Sequence, residues 1–395
     1  MTPSVRTLQG SKQKGFRGST PLCPWGSNAR GFSKSFDSAT VRNWYIARQF
    51  VLDKFVEKKI GFEPHSREHL HVVINGDSPI MLSVARQVAL TAHFINFLEG
   101  NEWAEPENST VITIISKNPA ILTELQKEEY LCNLPNYCKT VYYGKTSGNE
   151  RFYIDIELHV QEECPYLNGE KETICFSEQD VDMYVNDKDV EKLFGIDTRK
   201  AIYASRIYDL GAELYNIPAE DIHCTERYTL ALDVFQHEML KKKVNTMITE
   251  NWRTMSLSKI KESISNVLCS DCFVFRETCL VKAEKEKYRR SKTVWAKYNE
   301  QLSVSEHARW VVEKLIMGYR PFRHEEHYYD EQLHVQFKNK EKKKAYRDNL
   351  KRRDSDPTHI DLCSYRDLRR INPDDLKFDS FLMLAIPKIL DKVNE

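Results

Sequence analysis

The sequence predicts an α/β protein: a parallel-sheet domain, then a helical linker region, then a small, mostly α-helical C-terminal module. Three observations carry this reading. Short apolar runs at His71–Ile74 and Thr110–Ile115 alternate with helical patterns of about ten to fifteen residues, as in strands joined by crossover helices. From Val190 to Arg290 the pattern is helical, with breaks near Pro218, His223 and Asn251. The last quarter then carries an amphipathic helix of its own and a second, separated helical segment. With 395 residues there is room for two or three domains and a sizeable core.

In chain order, residues 1–36 hold six Lys/Arg, no Asp or Glu, and many Gly, Ser and Pro. So little apolar surface cannot offset the entropy of ordering, and a disordered basic tail is expected. Gly and Pro interrupt the amphipathic helix that an organellar transit peptide would need. Residues 37–65 hold an amphipathic helix: Val41, Trp44, Tyr45, Leu52, Phe55 and Val56 share a face, Asp37 or Ser38 caps its start, and Gly61 ends it. Residues 66–180 form the sheet domain. His71–Ile74 is its first strand, and Ser78-Pro79 opens a helix running to Ala92. A strand over 110–115 precedes a helix over 119–131; strands follow at Thr140–Tyr143, Arg151–Val160 and Thr173–Phe176. Residues 181–295 are the helical linker region, and 296–395 the C-terminal module.

The turn Asn75-Gly76-Asp77-Ser78-Pro79 sits between the first strand and first helix, where unpaired N–H groups and the helix dipole could seat a phosphate. Together with the sequence through His93 it resembles the TrkA-N type of Rossmann domain, over roughly residues 68–165. That resemblance implies a Rossmann-like sheet and a nucleotide-sensing or potassium-transport-regulating role. Of the G-x-G-x-x-G fingerprint only Gly76 remains, with Ser78 and Met81 at the other glycine positions. The acid that would hold a ribose after the second strand is replaced by Ser116-Lys117-Asn118. Tight NAD binding is therefore not expected. A phosphate ligand would meet Gly76, Asp77, Ser78, Lys117 and Gly144.

In the last quarter, Ala308, Val311, Val312, Leu315 and Ile316 recur at helical spacing. Gly318 stops the helix and Pro321 prevents its resumption. The segment Glu306-His307-Ala308-Arg309-Trp310, Glu313-Lys314 through Tyr319-Arg320-Pro321, with the later His359-Ile360-Asp361-Leu362-Cys363-Ser364-Tyr365, resembles the RyR domain. This is the small module named for ryanodine receptors, which also occurs in prokaryotic proteins. The resemblance covers about residues 303–391 and implies a binding or scaffolding module. Its apolar stripe is expected to pack on Leu362, Tyr365, Leu368, Phe381 and Leu384. Polar groups in so small a unit are either exposed or paired. A groove lined by His307, Arg309, Trp310, Lys314, Tyr319, His359 and Tyr365 would suit a nucleotide, cations meeting phosphate and rings stacking on base.

Other chemistry-bearing patterns have plain structural readings. Cys269-x-x-Cys272 lacks the second pair that a structural zinc site needs. His324-Glu325-Glu326-His327 does not have the H-E-x-x-H spacing and reads as a polar loop. Lys338 to Arg353 holds nine Lys/Arg against Glu341 and Asp348, a solvated helix or an insertion that could face anions. No nucleophile elbow or P-loop occurs, so no catalytic residue is assigned.

Formal net charge zero argues against a dedicated nucleic-acid binder. The longest apolar run, Phe381 to Ile386, is too short to insert into a membrane. Ten scattered cysteines without an apolar leader fit free thiols in a cytoplasmic setting. The reading that unites these points is a non-enzymatic sensor of a small nucleotide or other phosphate-bearing ligand, in a prokaryotic signalling or defence system. An effector, a channel or a second copy of the chain would receive its signal. The alternatives are a nucleotide-processing enzyme with its site near Gly76, Ser116 and Gly144, and a cytoplasmic regulator of an ion channel or potassium transporter.

Overall fold

The computed structural model describes residues 38–100, 104–147, 154–163, 172–187, 297–335, 340–353, 356–376 and 379–380. The expected basic tail, most of the helical linker region, Cys269-x-x-Cys272, Phe381 and Leu384 lie outside them. Helix α1 (Ser38–Glu57) leads into strand β1 (Leu70–Asn75), helix α2 (Pro79–Thr91) and strand β2 (Thr110–Ile115). Two short helices, α3 (Ile121–Leu125) and α4 (Leu134–Tyr137), precede β3 (Lys139–Tyr142), β4 (Lys145–Ser147), β5 (Ile156–Gln161) and β6 (Glu172–Ser177). Helix α5 (Glu178–Asp187) follows β6 directly. The six strands form one sheet in the order β4-β3-β5-β2-β1-β6, parallel except where β4 turns back on β3. The protein is thus mixed α/β, built on a mostly parallel sheet.

The C-terminal module comprises α6 (Asn299–Ile316), β7 (Arg320–Pro321), α7 (His324–Val335), α8 (Lys340–Lys351), β8 (Thr358–His359) and α9 (Tyr365–Ile371). Strands β7 and β8 pair in parallel, Arg320 opposite Thr358 and Pro321 opposite His359. Helix α6 ends as its sequence requires. Gly318 adopts φ 90°, its N–H donates to the Leu315 carbonyl, and the Tyr319 N–H donates to that of Lys314. These are the paired closing bonds of a glycine-terminated helix. Among the described residues, no helix is long and apolar enough to cross a membrane.

Sequence and structure part company at four places. The helix expected over 119–131 is confined to α3; turns follow it, and Cys132, at a left-handed φ of 47°, precedes the separate helix α4. Strand β4 was not expected; it exists because Tyr143 (φ 46°) and Gly144 (φ 76°) form a two-residue turn whose twist suits a hairpin. Residues 324–327 are the first turn of α7 rather than a loop. The Glu326 carboxylate reaches back to accept from the Arg323 N–H at 2.8 Å, and acidic side chains suit a helix start. Finally, the apolar stripe of α6 does not pack mainly within its own module. Leu302, Val311, Val312, Leu315 and Ile316 belong to one continuous core with the sheet, α1 and α2, which Leu362 joins as expected, whereas Tyr365 and Leu368 form a smaller cluster with Cys363.

Helix α2 explains this sharing. Every residue from Met81 to Thr91 is buried, including Ser83, Arg86, Gln87 and Thr91. One face lies on β1 and β2, α1 covers another, and α6 closes the remainder. A helix enclosed on all sides has no solvent face for its polar residues, so each must be satisfied internally. Arg86 stacks its guanidinium over the Trp44 ring at 4.6 Å, Gln87 donates to Thr91 at 2.7 Å, and Ser83 donates to the Pro79 carbonyl.

Two polar clasps tie the sheet domain to the C-terminal module. The Asn133 amide donates to the carbonyls of Gly318 and Tyr319, each at 2.9 Å, and its backbone N–H donates to the Leu315 carbonyl. The Glu99 carboxylate accepts from the N–H groups of Tyr365 and Arg366 at the start of α9. Because the core is shared, we expect one cooperative unfolding transition. Asn133→Ala, which leaves the Gly318 and Tyr319 carbonyls short of a donor, should cost about 1–3 kcal/mol in denaturant melts. Two separated transitions, or an unchanged midpoint, would show that sheet and module fold independently.

Candidate functional site

The seven residues expected to line a groove in the C-terminal module divide into an inner and an outer group. Arg309 lies on α6, one turn after Glu306 and one before Glu313. Its Nε and Nη2 donate to the Glu306 carboxylate at 2.9–3.2 Å, and Nη1 donates to Glu313 Oε2 at 2.7 Å. Glu306 is 0% exposed and Arg309 3%, so this guanidinium is held by two buried carboxylates and has no face toward a ligand. His307 is equally withdrawn: its ring contacts the Cys363 carbonyl through Nε2 at 2.9 Å and Asp379 through Nδ1 at 3.3 Å. Burial opposes charge on this ring, but Asp379, and after it the Cys363 side chain, outweigh it and raise the pKa well above the ordinary histidine value. Tyr365 is buried beside it, ring centroids 5.7 Å apart, and burial pushes its phenol up to about 12. These three residues are joints of the fold, not ligand contacts.

Trp310, Lys314, Tyr319 and His359 form the outer group, all half-buried. The Trp310 ring rests on the core and meets the His359 ring edge-on at 4.9 Å. Tyr319 approaches His359 from the β7 side at 6.4 Å, and Lys314 Nζ stands 5.8 Å from the Trp310 ring. Lys314 is partly neutralised by Glu313 Oε1 at 3.3 Å. The Asp361 N–H donates to His359 Nδ1 at 3.2 Å, which assigns the ring proton of the neutral imidazole to Nε2. Burial pushes the His359 pKa down to about 3, so the ring stays neutral at physiological pH. Three aromatic rings, one N–H donor and one ammonium thus converge on a partly open surface. Local sequence builds it: the Gly318 stop turns Tyr319 back toward the helix, and the short β7–β8 ladder sets His359 beside it.

The second candidate lies at the C-terminal ends of the strands. The chain leaves β1 toward β2 on one side and later returns to β6 on the other, so a crevice opens beyond Asn75, where open α/β sheets take their ligands. Gly76 takes φ 127°, a conformation that side chains strain, and a Cβ there would also meet the end of the flexible Glu178 side chain at 3.0 Å. Asp77 accepts a short hydrogen bond from the buried Ser116 hydroxyl, and Ser116 Oγ accepts in turn from the Asn118 N–H. Ser78 stands at the N-cap of α2, its hydroxyl enclosed and without a hydrogen-bond partner among the described residues. Lys117 is exposed at the rim. Gly144 is the hairpin turn described above, which is reason enough for a glycine there. Sequence reasoning missed Tyr143, whose hydroxyl donates to the Ser116 carbonyl, and Glu178, which closes on Gly76. The first followed from a hairpin not foreseen, the second from the return of β6 to the side of β1. Asp77 and Glu178 together make the crevice unfavourable for a bare phosphate. Among the described residues, no group of three or more His, Cys, Asp or Glu side chains is placed to hold a metal.

Two outcomes separate the inner residues from the outer ones. Arg309→Ala leaves two buried carboxylates facing each other and should cost about 3–5 kcal/mol, with Arg309→Met less damaging than Arg309→Ala; a folded, unaltered Arg309→Ala protein would move Arg309 to the surface group. His307 has a folded pKa above its unfolded value, so the stabilisation from its charge is complete below about pH 6.5 and is lost as pH rises through the folded value. Melting temperature should therefore fall with pH above about 6.5, and His307→Gln should flatten that slope; an equally steep slope in the variant would assign it elsewhere. Comparison with protein-family models, with curated proteins and with solved structures gave no match.

Proposed function

We propose that this protein is a non-enzymatic sensor that binds a nucleotide or a related aromatic, phosphate-bearing ligand on the Trp310–Tyr319–His359 face of its C-terminal module. The observation that carries this reading is the contrast between neighbouring residues. His307, Arg309 and Arg320 are buried with their polar groups occupied within the protein, while Trp310, Lys314, Tyr319 and His359 are only half-buried. Aromatic faces beside a cation bind a base and its phosphate, with stacking worth about 1–3 kcal/mol per base.

The sensing part rests on where Tyr319 sits. Its carbonyl and that of Gly318 are held by Asn133 of the sheet domain, so a ligand that moves Tyr319 also loads that loop. A partner reading the sheet surface would then receive the signal, whether an effector, a channel or a second copy of the chain. A second reading, nucleotide processing in the crevice at Gly76, is favoured by the Asp77–Ser116 pair, a carboxylate and a hydroxyl joined at a strand terminus.

A thermal-shift screen of nucleosides and nucleotides, read together with intrinsic tryptophan fluorescence, tests the first reading. Stabilisation should be about 2.7 kcal/mol at a hundred times the dissociation constant, and Tyr319→Ala or His359→Ala should weaken binding at least tenfold while the fold persists. Binding unaffected by these variants but abolished by Asp77→Asn, or turnover of the ligand, would transfer the function to the crevice.

A further inference from the structure

The strand that carries His359 is covered by a basic helix. Helix α8 packs against β8, the strand that ends in His359. On α8, Lys340, Lys344, Arg347 and Lys351 recur at i, i+4, i+7 and i+11, a single edge of the helix. Of these, Arg347 is held by Asp330 through two bonds of 2.8 Å, and the neighbouring Lys343 reaches the same carboxylate at 3.3 Å. With Asp330 occupied, Lys340, Lys344 and Lys351 form no ion pair among the described residues. The whole chain has formal net charge zero, so this edge is a local concentration of charge rather than a share of a general excess.

The edge also faces His359 electrically. Lys351, Lys314 and Arg347 all act on the His359 ring, with Asp361 opposing them. Asp361 and Asp375 both feel the charge of Lys351, and Asn372 donates to both, at 3.0 and 2.6 Å. Burial and the neighbouring Asp361 raise the Asp375 pKa to about 7, so this pair carries less than two full negative charges near neutrality. Glu341 lies about 60–100° around the helix axis from this edge; Asp348, four residues after Lys344 and three before Lys351, borders it but forms no ion pair with either among the described residues.

We infer that the edge of α8 from Lys351 to Lys344 is a phosphate subsite, which makes the preferred ligand of the Trp310–Tyr319–His359 face a nucleoside di- or triphosphate. This rests on the base-binding reading above and adds the ligand class to it. The dimensions agree: seven residues of helix rise about 10 Å, a span that a ribose-linked phosphate chain can follow from a base on Trp310. Lysines on a flexible stem suit such a chain as point charges, without the fixed geometry of a guanidinium fork.

Calorimetric titration of the full chain tests this, using the four common ribonucleosides, their mono-, di- and triphosphates, and inorganic tripolyphosphate. Affinity should rise about tenfold from monophosphate to triphosphate and fall with added salt. Lys351→Glu and Lys344→Glu should remove that gain while leaving nucleoside binding within about twofold, and Arg352→Glu, about 80–120° around the helix from this edge, should leave both unchanged. Equal affinity for nucleoside and triphosphate, or a Lys351→Glu loss that falls equally on both, would overturn the inference and leave the base-binding reading standing. Lys351-dependent binding of tripolyphosphate with no contribution from any nucleoside would support the subsite and sink the base-binding reading.

Discussion

Everything in this fold depends on the enclosure of α2. A helix buried on one stripe can belong to one layer; a helix buried from Met81 to Thr91 on every side must be shared by several. Here the sheet, α1 and α6 each take a face, so the C-terminal module is not appended to the sheet domain but completes its core. Burial of apolar side chains such as Val84, Val88, Val311 and Leu315, at roughly 1.5–3 kcal/mol each, favours the closed arrangement over any with the module detached. The cost is a set of buried polar groups, met by Arg86 on Trp44, by Gln87 on Thr91 and by the Glu306–Arg309–Glu313 ladder.

That constraint also decides which residues can meet a ligand. The inward side of α6 is committed to the core and its ion pairs, which withdraws His307 and Arg309. The outward side carries Trp310 and Lys314, and the Gly318 stop brings Tyr319 round to the same surface. The sites of chemistry and of packing are thus separated by helical periodicity alone, over a stretch of about ten residues. Asn133 then links this surface to the sheet domain through two carbonyl bonds, the route by which the proposed ligand would act on the larger body.

Strands β1 and β2, helix α2 and the Gly318 stop were legible because each rests on local signals: apolar runs, Ser78-Pro79 at a helix start, glycine at a helix end. The 324–327 turn was misread because its stabilising bond, Glu326 to the Arg323 N–H, resembles ordinary loop polarity in sequence. The β3–β4 hairpin was missed because Tyr143 takes a positive φ that its residue type does not advertise. At the candidate site, the residue types were legible but their division into inner and outer was not. Arg309 and Lys314 look alike as charges on one helix; only the presence of Glu306 beneath the surface separates them. The approach of Glu178 to Gly76 was likewise hidden, since it depends on the sheet order β1-β6.

The most direct test of the central claim is amide hydrogen exchange of the full chain with and without saturating nucleoside triphosphate. The account requires added protection in two separated stretches at once, 314–319 and 358–361, together with the Asn133 loop that holds the first of them. Protection confined to 76–82 and 116–118, with the C-terminal module unchanged, would contradict it and place the ligand at the ends of the strands.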